Sequence, residues 1–223
     1  MDFTNAMLFT EDFRFQLGCF SVEEGRFANV LGQERPGAVD LKGAYVIPGL
    51  IDIHTHGNSG ADFSDGDEEG LRRMMAYYGK SGVTSAAPTS MTLPYEVLEK
   101  AFAVGRKVHD SRDPGSARFV GINMEGPFFC EKRKGAQNAA YLKNPDLEAF
   151  QRLNQSCGGL IRFADLAAEL PGAAEFAREA SKVCTVSIAH TDCTYEEADA
   201  LFNAGASHLT HLYNAMPGIH PRT

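Results

Sequence analysis

From Pro48 onward the chain repeats one pattern, and that pattern limits its possible folds more than any single residue does. Short apolar runs, at Leu50–His54, Thr84–Pro88, Phe119–Met124, Leu160–Phe163, Thr185–Ala189 and Ser207–His211, alternate with stretches of helical period. The helical stretches are Glu68–Gly79, Tyr95–Asp110, Asp146–Asn154, Ala173–Val183 and Thr194–Asn203. Their ends are marked: Ser81-Gly82 follows the first, and Thr194 with Glu197 three residues on forms a capping box before the last. Strands connected through helices run parallel, so the pattern predicts an α/β fold with a parallel sheet. Periodicity alone leaves open whether that sheet is open or closed.

Residues 1–46 lack this rhythm. Phe13–Leu17 alternates apolar and polar, Glu23-Glu24-Gly25 is a turn, and Arg26–Val30 can pair back. After the Gly/Pro-containing stretch Gln33–Gly37 comes Ala44–Ile47. The segment reads as part of a small β-domain, dividing the chain into residues 1–46 and an α/β domain over 47–223.

The apolar strands end in residues that carry chemistry. In Ile51-Asp52-Ile53-His54-Thr55-His56-Gly57 two histidines one residue apart point the same way, so both imidazoles can reach one ion, with Asp52 a step further back. In Ile122-Asn123-Met124-Glu125-Gly126-Pro127 a buried strand delivers a carboxylate to a point where glycine and proline are expected to terminate pairing. A lone carboxylate there is costly to desolvate, so it needs a cation or donors. His190 and His211 each close a further apolar run. One such histidine is usually a satisfied core residue, and one such glutamate is as readily a loop cap. Four strand ends presenting His-x-His, Glu, His and His in order form a metal constellation, because in a parallel barrel those ends converge on one face. Neutral imidazole and carboxylate suit zinc, iron or similar divalent ions, which bring the pKa of bound water toward neutrality. His208, three residues before His211, faces the opposite side of a strand and is expected to be structural. His109 is expected to be exposed at a helix end, His220 is undecided, and Lys132-Arg133-Lys134 is expected to be a solvated loop bordering the site.

Composition excludes other classes. With 29 acidic against 21 basic residues the formal net charge is −8, a poor match for nucleic acid or an anionic membrane surface. A few local cations can still hold a small anionic substrate. Five cysteines, odd in number and without CxxC spacing, fit neither a disulfide framework nor a thiolate zinc site, and agree with a reducing cytoplasm. The start, MDFTNAMLFTEDFRF, carries charges where a signal peptide needs an apolar run, and no apolar stretch reaches the roughly 18 residues that span a bilayer.

The runs PGLIDIHTHG, INMEGPFF, KGAQN and AHTDCTYEEADALFNAGASHLTHLYNAM together resemble the N-acetylglucosamine-6-phosphate deacetylase family of the amidohydrolase superfamily, over essentially the whole chain. His-x-His alone would indicate only the superfamily; EGPF, KGAQ and THLYNAM narrow it. The resemblance implies a TIM-like (β/α)8 metal-dependent hydrolase barrel, here incomplete with about six β/α units, beside a small N-terminal β-sandwich segment. It implies that Glu125, His190 and His211 hold the principal ion, and that His54 and His56 bind a second, with Glu125 bridging. Some members lack both of those histidines and use one ion, so their presence favours two divalent ions per chain. By the same resemblance Ala136 and Gln137 contact substrate, many relatives having histidine in place of Gln137. Asn214 and Ala215 contact the phosphosugar, and Arg222 engages its phosphate, usually from a neighbouring subunit, which implies a homodimer or higher homo-oligomer. The implied reaction is hydrolysis of N-acetyl-D-glucosamine 6-phosphate to D-glucosamine 6-phosphate and acetate. Its general-base aspartate is expected beyond Thr223, so this length alone is expected to be inactive. Two alternatives stand beside it. One is another amidohydrolase, dihydroorotase-like or an amino-acid deacetylase, although those commonly carry a bridging lysine in place of Glu125. The other is a truncated, non-catalytic metal-binding fragment.

Overall fold

The computed structural model describes residues 1–111 and 113–219 and separates two units, Met1–Gly49 and Leu50–Thr223. The first is built from β1 (Asp2–Phe9), β2 (Phe15–Glu23), β3 (Arg26–Ala28), β4 (Val39–Asp40) and β5 (Tyr45–Val46). β1–β2 and β2–β3 are antiparallel pairs, and β4 and β5 lie parallel to successive stretches of β1. Glu24 and Gly25 both take positive φ, 50° and 74°, as a tight primed turn requires. β1 is a strand the sequence pattern does not reveal. Asn5 has φ of 54° and the register with β2 shifts between Phe3 and Ala6, which breaks the alternation that marks a strand. The core of this unit is Ala6, Leu8 and Phe20, backed by Phe3, Val22, Leu41 and Val46.

The second unit begins with β6 (Leu50–Thr55) and a small hairpin of β7 (Gly57–Asn58) and β8 (Ala61–Asp62). It continues through α1 (Glu68–Lys80), β9 (Val83–Pro88), α2 (Tyr95–Asp110), β10 (Arg118–Phe119) and β11 (Ile122–Phe128). It ends with α3 (Leu147–Ser156), β12 (Ile161–Leu166), α4 (Ala173–Ala180), β13 (Thr185–Ile188), α5 (Tyr195–Asn203) and β14 (Ala206–Leu209). β6, β9 and β10 form one sheet and β11, β12, β13 and β14 another, all parallel, with a parallel bridge from Thr89 to Asn123 between them. The strands therefore neighbour one another in chain order, with β10 and β11 sharing one position. That is the unrolled order of six units of a (β/α)8 barrel. Leu50, Ile51 and Ile53 on β6, the first strand of this order, are exposed.

The shared position departs from the sequence expectation twice. One strand over Phe119–Met124 becomes two, broken at Val120-Gly121, where a Cβ on Gly121 would lie 2.1 Å from Arg162 Cγ. Pairing also runs past Glu125 as far as Phe128, opposite Leu166, so Gly126 and Pro127 do not terminate it. Gly126 takes φ of 88°, open to glycine, and the register slips there between Glu125 and Phe128.

The core lies between sheets and helices. Leu71, Met74, Met75 and Tyr78 of α1 recur at helical spacing, as do Leu98, Ala101 and Phe102 of α2 and Phe150 and Leu153 of α3. They pack with Ile122, Met124, Ile161, Val186 and Ile188 from the strands. Burying one Leu, Met or Phe in this way contributes about 1.5–3 kcal/mol. Asp67 caps α1, Asp146 caps α3, and the Thr194–Glu197 box caps α5. His109 is not exposed as expected: its Nδ1 lies 2.9 Å from the Phe119 carbonyl, so the ring joins α2 to β10. Every cysteine is free, and among the described residues no helix is long and apolar enough to cross a membrane.

Candidate metal centre

The C-terminal ends of β6, β13 and β14 bring four histidines to one carboxylate, Glu125 of β11. Glu125, whose side chain is 2% exposed, has Oε1 at 3.1 Å from His190 Nε2, 3.1 Å from His211 Nε2 and 3.5 Å from His54 Nε2. Its Oε2 lies 3.2 Å from His56 Nε2 and accepts a 2.9 Å hydrogen bond from Gln137 Nε2. His190 and His211 are placed by backbone that turns left-handed at the ligand itself, with φ of 46° and 34°. Such conformations cost a non-glycine residue on the order of 1–3 kcal/mol and persist where surrounding contacts enforce them. Here Cys130 N donates to the His190 carbonyl, Thr191 N to the Ala215 carbonyl and Asn214 N to the His211 carbonyl.

Protons on the ring nitrogens follow from their partners. A carbonyl only accepts, so the 2.9 Å contact of His190 Nδ1 with the Arg133 carbonyl puts the proton on Nδ1 and leaves a lone pair on Nε2. His56 Nδ1, 3.1 Å from the Thr89 carbonyl, is set the same way. His190 Nε2 and His211 Nε2 lie 3.2 Å apart over a buried carboxylate. That crowding of lone pairs and anion needs a shared proton or a cation. His54, Glu125 and His211 each offer a ligand atom, all within 4.8 Å of one another. The donor set of imidazole and carboxylate therefore fits a divalent ion. His54 fits least well. Its Nδ1 faces Asn123 Nδ2 at 3.3 Å, while Asn123 Oδ1 is buried without a partner. The same Nδ2 donates to the Ile53 carbonyl at 3.1 Å, which holds the amide this way round and leaves the His54 proton on Nε2, the nitrogen that faces Glu125.

The electrostatics agree with this geometry. Burial would raise the Glu125 pKa, but the His190, His211 and His56 rings against its oxygens hold it well below the usual carboxylate range. The Glu125 hydrogen bond raises His211 against burial; at His56 burial is outweighed by the hydrogen bond and charge of Glu125. At His54 burial prevails over Glu125 and the pKa falls.

The remaining sequence candidates scatter. Gln137 is buried with both amide ends used, Oε1 accepting from Thr92 N at 2.7 Å and Nε2 reaching Glu125. Ala136 is exposed and lines a depression with Asp62, Ser64, Met91 and Asn138. Asn214 is exposed and Ala215 half-buried in the turn after β14. Arg222 and His220 lie outside the described residues. His208 stays off the cluster, with Nδ1 2.9 Å from Ser187 Oγ. Lys132 and Arg133 are not simply solvated, because both pair with Asp192. One interior residue escaped the sequence reading. Asp165 of β12 is fully buried in register between Glu125 and Ser187, with neither carboxylate oxygen partnered. Burial, followed by the charge of Glu125, pushes its pKa well above the ordinary aspartate value. The signal was an acid inside the apolar run Phe163–Ala168.

The sequence model of the amidohydrolase family matches residues 45–223. The N-acetylglucosamine-6-phosphate deacetylase of Bacillus subtilis (strain 168) is 33% identical over 222 residues, covering 96% of this chain and 56% of that protein. The crystal structure of the Pasteurella multocida N-acetylglucosamine-6-phosphate deacetylase matches with a TM-score of 0.89 at 28% identity, over 99% of this chain and 59% of that one. A mutant N-acetyl-D-glucosamine-6-phosphate deacetylase from Mycobacterium smegmatis, in complex with N-acetyl-D-glucosamine-6-phosphate, matches with a TM-score of 0.83 at 28% identity, over 94% and 54%. The chain spans about half the length of the curated relatives it matches.

Proposed function

The chain belongs to the amidohydrolase family, and on that premise we propose that it carries the metal-binding strands of an enzyme that deacetylates N-acetyl-D-glucosamine 6-phosphate. The observation that carries this reading is the gathering of His54, His56, His190 and His211 on the two oxygens of Glu125. The names of its relatives supply the substrate.

In this reading Glu125, His190 and His211 would hold one divalent ion of the zinc or iron type, and His54 and His56, with Glu125 within reach, would hold a second. When bound, the ion supplies electrophilic activation of the acetamide carbonyl and of the attacking water. Hydrolysis joins the water oxygen to the acetyl carbon and breaks the amide C–N bond. Acetate departs, and the nitrogen takes up a proton to become the amine. Gln137 donates to Glu125 Oε2 and so fixes the rotation of that carboxylate. The loops bearing Ala136, Asn214 and Ala215 would contact the sugar and Arg222 its phosphate, from a neighbouring copy in a homo-oligomer. A cytoplasmic location fits a phosphorylated substrate and free cysteines.

The test is acetate release by the full-length protein, loaded with zinc or iron. Four substrates are compared: N-acetylglucosamine 6-phosphate, its galactosamine epimer, unphosphorylated N-acetylglucosamine and an N-acetyl amino acid. Clear preference for the first is expected. Preference for either of the last two would overturn the phosphosugar assignment, and preference for the epimer would move it to the substrate named for an Escherichia coli O157:H7 relative.

A further inference from the structure

His190 is seated by residues that never reach the ion. Its Nδ1 meets the Arg133 carbonyl, its ring stacks on Phe129 at 4.4 Å between centroids, and its own carbonyl accepts from Cys130 N. All three partners lie in the segment that follows or ends β11, so the orientation of His190 depends on where that segment is held. Two carboxylates hold it. Asp192 Oδ1 accepts from Arg133 Nε at 2.7 Å and Nη2 at 2.6 Å, and Oδ2 from Lys132 Nζ at 2.5 Å. Glu169, in the loop after β12, accepts from Asp192 N at 2.7 Å and from the Thr191 hydroxyl. The loops after β11, β12 and β13 are thereby tied together beside the metal centre.

We propose that Asp192 and Glu169 form a clasp that sets the Arg133 carbonyl beneath His190 Nδ1, making them positioning residues for metal binding. The inference rests on His190 being a metal ligand and not on which sugar is hydrolysed. Partly exposed ion pairs such as Asp192 with Arg133 contribute little to global stability. Their consequence should therefore be read at the ion and not in unfolding. Removing a partner that orients a ligating histidine typically costs roughly 10–100-fold in metal affinity.

The test is chelator competition for zinc by the full-length protein, alongside thermal unfolding of its metal-free form. Asp192→Ala and Asp192→Asn should each weaken zinc binding by about 10-fold or more, with the metal-free melting temperature unchanged, and Asp192→Glu should recover part of the loss. In a His190→Ala background Asp192→Ala should cost nothing further, because the clasp acts through that ring. Unchanged affinity in both Asp192 variants, an additive loss in the His190→Ala background, or a fall in metal-free melting temperature that accounts for the weakened binding would each overturn the clasp. Wild-type protein that binds no zinc would overturn the metal reading itself, and the clasp with it.

Discussion

The two sheets of the barrel unit deliver ligands to the same carboxylate under different conditions. From the three-stranded sheet come His54, near the end of β6, and His56, just past it, with side chains 29% and 33% exposed. From the four-stranded sheet come Glu125 and His190, 2% and 8% exposed, with His211 between the extremes at 26%. His190 and His211 also bear left-handed backbone, whereas His54 and His56 do not. Coulomb attraction to an ion strengthens as water is excluded, and preset ligands lose less freedom on binding it. One face, at Glu125 and His190, is dry and fixed in advance, suited to a tightly held ion. The other face, where His54 still opposes an amide nitrogen, is suited to a weaker one.

Glu125 belongs to both faces, so its loss should have the largest effect. Glu125→Ala removes both shared oxygens and leaves His190 and His211 without their anion. Neither ion should survive dialysis, an affinity loss beyond the roughly 100-fold upper range for indirect partners, and acetate release should vanish. Elemental analysis checks this, and retention of one ion would break the idea of a shared bridge. The next effect is selective. The double variant His54→Ala with His56→Ala should keep about one ion per chain where the wild type keeps two, whereas His190→Ala should lose the tighter ion. If the two variants lose metal equally, the distinction between the faces fails.

A pH series on the metal-free protein sharpens the comparison. His211 and His56 are raised above the ordinary histidine value of 6.5, so their contacts contribute stability that is full below 6.5 and is lost as pH rises through their folded values. His54 is lowered, so it contributes with the opposite sign and stability rises with pH through its window. Glu125, depressed, keeps its contribution above the ordinary carboxylate range and loses it only as pH falls through its folded value. The metal-free melting temperature should therefore fall from pH 6 to pH 9, and His54→Ala should steepen the fall. With metal bound the trend should reverse, because protons and cation compete for the same nitrogens. A metal-free melting curve that rises through neutral pH would contradict the signs assigned here.

What the sequence revealed, and what it hid, follows the range of the interactions. His54, His56, Glu125, His190 and His211 were legible because each closes a local apolar run, and barrel geometry does the rest. β1 was not, because a left-handed Asn5 interrupts its alternation. Gly126 misled because glycine can turn left-handed and carry a strand onward as readily as end it. Gln137 was legible only as a resemblance. Its contact with Thr92, 45 positions away, is set by tertiary packing. Asp192 reaches back 59 positions to Arg133, and nothing in the run Thr191–Tyr195 announces that pairing.

Asp165 yields the smallest effect and separates charge from shape at the dry face. It sits beside Glu125 in register, with neither carboxylate oxygen partnered, and burial raises its pKa well above the ordinary value. A carboxyl whose folded pKa is raised destabilises the fold as pH climbs from its ordinary value of 3.8 toward the raised one, because the unfolded chain can release its proton and the folded chain cannot. Asp165→Asn keeps the shape and holds the position neutral at every pH. It should relieve that penalty, raise the metal-free melting temperature at pH 7 by a few degrees and flatten its pH slope. Zinc affinity should change by less than about threefold, well under the roughly tenfold that each 1.4 kcal/mol represents. If Asp165 were ionised in the loaded protein, the same substitution would withdraw a negative charge adjacent to the ion. Affinity would then drop by about tenfold or more, in a site where low dielectric strengthens every charge. Measuring zinc affinity and melting temperature on the same Asp165→Asn sample decides between the two. A loss of affinity without a gain in stability would make Asp165 part of the dry ligand face, and the contrast between the two sheets would widen.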